Sequence, residues 1–130
     1  MFIFLSSGDR RYPNNSPWDF TIYLSSRTCT NDGAWECALV ELWTKGVEDL
    51  PEPLHVLCDF ISDCSVLNGI NTNLLRIVRT IGDVTIPYFM PIRPANGTQS
   101  IRLYIRTADG GTPSLVCEEV SCVLELRPIQ

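Results

Sequence analysis

Ile101-Arg102-Leu103-Tyr104-Ile105-Arg106 and Val120-Ser121-Cys122-Val123-Leu124-Glu125-Leu126-Arg127 are the two stretches that decide the fold. Ile101, Leu103 and Ile105 alternate with Arg102, Tyr104 and Arg106. In the second stretch Val120, Cys122, Leu124 and Leu126 alternate with Ser121, Val123, Glu125 and Arg127. A period of two places every second side chain on the same side of an extended chain, so each stretch reads as a strand with one face to bury. Asp109-Gly110-Gly111 lies between them and reads as a hairpin turn.

The same period recurs upstream. Phe2 to Leu5 forms a first strand, ended by the polar stretch Ser6 to Ser16. Trp18, Phe20, Ile22 and Leu24 then alternate with Asp19, Thr21 and Tyr23. Beyond the turn-like Thr30-Asn31-Asp32-Gly33, Ala34 to Trp43 is apolar on both faces, as expected of a central strand. Leu54 to Ile61 and Leu74 to Ile81 follow, joined by a connector with Asn68-Gly69 as its turn signal and room for a short helical turn. Thr85 to Ile92 reads as a strand carrying Pro87 and Pro91, which places it at an edge or bulge because proline cannot donate to a ladder. Asn96-Gly97 turns the chain again. The expectation is an all-β, antiparallel β-sandwich of jelly-roll-like kind, with about eight strands in one domain spanning residues 1–130.

Composition narrows the function classes. With 45% hydrophobic and 19% charged residues in 130, the chain has the make-up of one folded domain rather than a disordered segment. A net charge of −5 argues against tracking nucleic-acid phosphates. Arg102 with Arg106, and Arg10 beside Arg11, read as solvated strand and loop positions. The apolar start Met1 to Leu5 stops too soon for a signal peptide, and no run approaches the ~20 apolar residues of a membrane span. The expectation is a soluble protein made without a signal peptide.

The six cysteines follow from that expectation. In a reducing compartment free thiols are the default, with Cys37 and Cys122 at core-facing strand positions. Cys58 with Cys64, and Cys117 with Cys122, stand as candidate disulfides should the protein end up outside a cell. No metal-ligand spacing is present, and the only histidine, His55, sits among Leu54, Val56 and Leu57. It reads as a strand residue rather than a general base.

The carboxylate pairs Asp59 with Asp63, Glu48 with Asp49, and Glu118 with Glu119 fall in loops or at strand ends and read as surface charge. The triplets Asn14-Asn15-Ser16 and Asn96-Gly97-Thr98 would be glycosylation sites only on a secretory route. No catalytic constellation and no cofactor is implied, so the expectation is a protein that binds or assembles and is not an enzyme. Trp43, Val47, Leu50, Tyr88, Phe89 and Met90 are the candidate interface residues. They lie in or beside the loop Lys45 to Pro53 and in the Pro-rich stretch. Of the tryptophans, Trp43 is the one expected to be exposed.

Two segments carry a resemblance. Tyr12-Pro13-Asn14-Asn15-Ser16-Pro17 leads to Phe20-Thr21-Ile22-Tyr23-Leu24, and Gly33-Ala34-Trp35-Glu36-Cys37-Ala38-Leu39-Val40-Glu41-Leu42 follows. The pattern Y-P-x-N-x-x-x-x-F-x-x-x-L, then G-x-W-E-x-x-L-x-E-[IL], resembles that of a family of largely uncharacterised proteins encoded by Polinton-type (Maverick) elements and adintovirus-like DNA viruses of animals. Tyr88 to Ile92, Ile101 to Gly110 and Val123 to Arg127 are similar to that family's final strands, while Cys37 stands where valine is expected. The resemblance implies a virion structural protein, a minor, cementing or vertex capsid component. Its implied partners are copies of itself and other capsid proteins, without nucleic acid or membrane. A β-sandwich recognition module that binds a glycan or host receptor through Trp43 is the alternative reading, because fold does not fix function.

Overall fold

The computed structural model describes residues 1–24, 34–93 and 100–129, and all regular structure among them is β. The expected turns at Thr30-Asn31-Asp32-Gly33 and Asn96-Gly97, the second glycosylation triplet and Cys29 lie outside the described residues. The strands are β1 (Phe2–Ser6), β2 (Asp19–Tyr23), β3 (Trp35–Lys45), β4 (Leu54–Cys58), β5 (Ser65–Leu67), β6 (Ile70–Thr72), β7 (Leu74–Val78), β8 (Gly82–Asp83), β9 (Met90–Pro91), β10 (Ser100–Arg106) and β11 (Glu119–Pro128).

Nine of these build a sandwich, in which the two-residue strands β8 and β9 both pair with β3 and together take one strand position. Sheet A has the order β1-β11-β3-β8, with β9 also pairing with β3, and sheet B has the order β2-β10-β4-β7. All pairings are antiparallel. Counted in chain order, the sandwich strands run first-eighth-third-sixth in one sheet and second-seventh-fourth-fifth in the other. That is the jelly-roll connectivity, in which nearly every connection crosses from one sheet to the other. Only β4 and β7 are sequential neighbours within a sheet, and their connection carries the β5–β6 hairpin.

The core lies where the two sheets face each other. Leu5, Cys37, Leu39, Leu42, Val120, Cys122, Leu124 and Leu126 from sheet A meet Phe20, Leu54, Val56, Cys58, Leu75, Val78, Ile101, Leu103 and Ile105 from sheet B. Burying each large aliphatic side chain contributes about 1.5–3 kcal/mol, which is what drives the alternating runs together. The thiols Cys37, Cys58 and Cys122 belong to this core. Burial pushes the Cys58 thiol up to about 12, and it raises Cys37 and Cys122 as well.

Four expectations need correction. Asp109-Gly110-Gly111 is a turn but not a hairpin: β10 and β11 belong to different sheets, and the turn starts a crossing between them. It is held by the Asp109 carboxylate, which accepts from the Thr107 hydroxyl and the Gly111 amide. Thr85 to Ile92 is not a continuous strand. Only Met90–Pro91 joins a ladder, on β3, because the two prolines remove the donors a full strand needs. The connector between β4 and β7 holds a hairpin rather than a helical turn. Asn68 and Gly69 sit at φ of 51° and 82°, the conformation that favours Asn-Gly in two-residue hairpins.

The candidate disulfides are the fourth. Cys58, Cys64, Cys117 and Cys122 are all free thiols. Cys58 points into the core while Cys64 is exposed, its sulfur 3.8 Å from Met90 Sδ. Cys122 also points inward, whereas the Cys117 thiol donates to the carbonyls of Glu119 and Lys45.

Candidate functional site

The pleat that sends Leu5, Leu42, Cys122 and Leu124 inward sends their neighbours to the outer face of sheet A. That face is unusual for a solvated antiparallel sheet, where polar residues are expected. Phe2 is 56% exposed, Phe4 74% and Trp43 49%. The register shows how they are joined. Phe4 pairs with Val123, Val123 with Glu41, and Glu41 with Asp83, so a single row across β1, β11, β3 and β8 is apolar at one end and acidic at the other.

The row on one side is Ser6, Ser121 and Trp43, and on the other side Phe2, Glu125 and Ala38. Trp43 lies across β8, and a Cβ on Gly82 would come within 3.4 Å of its ring. Its indole Nε1 donates to Glu41 Oε1 at 3.0 Å. Gly82 has φ +111°, so glycine serves both the backbone and the ring above it.

The charges on this face divide into two kinds. Arg127 holds Glu36 at 2.6 Å and lies over the Phe89 ring at 3.5 Å, closing one end of the face. Lys45 pairs with Glu118 at 3.5 Å, and the Ser6 hydroxyl donates to Glu119 at the other end. Glu41 and Asp83, directly opposite each other, have no cation partner among the described residues. Like charges in such a pair repel, an arrangement a free-standing sheet normally avoids.

The outer face of sheet B is the opposite case. Asp19 takes Arg102 through two bonds, Nε to Oδ1 at 2.9 Å and Nη2 to Oδ2 at 2.8 Å. Arg106 approaches the same carboxylate at 3.7 Å. Both guanidinium groups lie against the Tyr104 ring, at 4.6 and 5.3 Å from its centre. The Tyr104 hydroxyl donates to Asn73 Oδ1 at 2.9 Å. The hydrogen bond from Arg102 holds the Asp19 carboxyl below its ordinary range, with the charge of Arg106 adding to it.

Of the six interface candidates from the sequence, the structure brings Trp43 and Phe89 to the outer face of sheet A. Val47 is half-buried in its loop, its carbonyl accepting from the Thr44 hydroxyl at 2.9 Å, and Leu50 packs on the core. Tyr88 and Met90 line a separate groove of about 260 Å³ along β7, where Arg76 sits 4.0 Å above the Tyr88 ring. Phe2 and Phe4 are the exposed residues the sequence reading missed. In Phe2-Ile3-Phe4-Leu5 every side chain is apolar, so period two offers no contrast to say which pair points outward.

Of the candidate carboxylates, Asp59, Asp63, Glu118 and Glu119 have structural partners. Asp59 accepts the Arg102 amide at 2.8 Å, and Asp63 pairs with Arg93 at 2.7 Å. His55 is buried within β4. Among the described residues no three of His, Cys, Asp and Glu converge as a metal site, and no helix is long and apolar enough to cross a membrane. No family model, curated protein or solved structure matches the chain. Fold and face together define a jelly-roll β-sandwich that leaves Phe2, Phe4 and Trp43 open on one sheet's outer face.

Proposed function

We propose that this chain is a structural protein of a viral particle, a minor, cementing or vertex component that works through protein contacts made by the outer face of sheet A. The observation that carries the reading is the exposure of Phe2, Phe4 and Trp43 on one face of one sheet. Large apolar side chains left open on one sheet face are the kind of surface that other proteins cover. The jelly-roll order of the sheets supports it, since capsid proteins are among the users of that fold. The resemblance of Tyr12 to Leu24 and of Gly33 to Leu42 to proteins of Polinton-type elements points the same way.

The test is the solution mass by light scattering over a range of concentrations, together with a search for the protein in purified particles. A stable place in the particle is the expected result, and any closed assembly of the chain alone should survive Phe4→Ser. A strict monomer that is absent from particles overturns the reading.

A recognition module for a glycan or host receptor is the second reading, favoured by the Trp43 ring lying open across Gly82. Binding on a glycan array that is lost in Trp43→Ala is its expected signature. An empty array removes it.

A further inference from the structure

We infer that the outer face of sheet A is covered by a different protein, one presenting an apolar ridge flanked by lysine or arginine, and not by a second copy of this chain. The inference rests on the docking role proposed above and names the chemistry of the partner.

Three observations carry it. The first is area. Phe2, Phe4 and Trp43 at their observed exposures leave on the order of 350 Å² of apolar surface in the open, taking ~200 Å² for each aromatic side chain. That is well short of the roughly 800 Å² that each partner of a standard interface contributes. The apolar stripe is therefore the centre of a contact whose remaining area is polar.

The second is the sign of that polar area. Glu41 and Asp83 continue the Phe4–Val123 row and form no ion pair among the described residues, although Arg76 and Arg79 line a groove with Asp83, and Glu125 lies between Phe2 and Ala38 in the next row. The cations at the ends of the face, Lys45 and Arg127, are engaged by Glu118 and Glu36. A partner that places a lysine or arginine between Glu41 and Asp83 relieves their repulsion and can rest the cation on the Trp43 ring.

The third observation tells against self-association. A two-fold contact sets the same patch against itself. That patch brings no free cation to Glu41 and Asp83, since its own Lys45 and Arg127 are engaged by Glu118 and Glu36, and it adds further carboxylates in a chain of net charge −5. A partner of opposite sign meets no such cost.

An amphipathic helical peptide of leucine and lysine alone, and its counterpart with glutamate at every lysine position, serve as probes against the intact chain. The expected result is binding of the lysine peptide that weakens as salt rises. Phe4→Ser weakens it by about tenfold or more, the range of a central contact residue. Glu41→Gln with Asp83→Asn weakens it several-fold and flattens the salt dependence, while Tyr23→Ser on the other sheet changes nothing.

Equal binding of the glutamate peptide, or lysine-peptide affinity indifferent to Phe4→Ser, overturns the inference. A dimer in light scattering that Phe4→Ser dissolves also overturns it, because a second copy then covers the face. The capsid reading fails separately: a chain absent from particles that binds the lysine peptide as described keeps this surface and loses that assignment.

Discussion

The two outer faces of the sandwich share one pleat, one core and one solvent, yet they satisfy their side chains differently. On sheet B, Asp19, Arg102, Tyr104 and Arg106 satisfy one another across β2 and β10, and the Tyr104 hydroxyl reaches Asn73. On sheet A, Phe2 and Phe4 stand in the open, and Glu41 faces Asp83 without an ion pair among the described residues. A face whose charges are paired within the chain has little left to offer, and its one open aromatic in these strands, Tyr23, stacks on Tyr12. A face that leaves aromatics open and sets two carboxylates opposite each other keeps interaction free energy for something outside the chain. The difference therefore separates a face that stabilises the fold from one that is available for contact.

Four measurements break or sharpen that contrast, taken from the largest effect on stability to the smallest. Leu103 is fully buried beneath Arg102 and Tyr104. Leu103→Ala should cost about 2–5 kcal/mol in urea unfolding and weaken both faces together, because they rest on one core. If the outer face of sheet A kept its peptide binding while sheet B unfolded, the single-core view would be wrong.

Gly82→Ala forces a side chain into φ +111° under the Trp43 ring. A loss of about 1–3 kcal/mol is expected, accompanied by a change in the fluorescence of the exposed tryptophan.

Asp19→Asn tests the paired face. The Asp19 carboxyl is depressed in the folded state by its hydrogen bond to Arg102. Its contribution is fully present above the unfolded carboxylate value of about 3.9 and is lost as the pH falls through the lower folded value. The variant should therefore be less stable near neutrality by about 0.5–1 kcal/mol, the size of a solvent-screened pair, and match the parent in acid. A gap that widened on acidification would contradict the assignment.

Phe4→Ser completes the series. At 74% exposure it should leave stability within about 0.5 kcal/mol while weakening docking on sheet A by about tenfold or more. A large loss of stability would mean that Phe4 belongs to the fold and not to a contact.

How much of this was legible in the sequence varies from element to element. Ile101-Leu103-Ile105 and Cys122-Leu124-Leu126 showed their inner faces at once, because charged residues fill the alternate positions. Trp43 was legible as exposed, lying at the end of a strand that enters a polar loop. The extent of the Pro-rich stretch was misread, since prolines say where a ladder is weak and not where it stops. The Asp109 turn was misread for a different reason. A Gly-rich turn between alternating strands looks the same whether the chain folds back on its own sheet or crosses to the other.

The sequence by itself determined that this is a β protein, which faces of β10 and β11 are buried, and that Asn68-Gly69 marks a turn, because period and turn chemistry are local properties. Only the tertiary structure decided which strands are neighbours, and with that the face that Phe2 and Phe4 occupy and the meeting of Glu41 with Asp83. Strand pairing joins residues far apart in the chain. Its free energy comes from burying two whole sheets against each other, a sum that no local pattern contains.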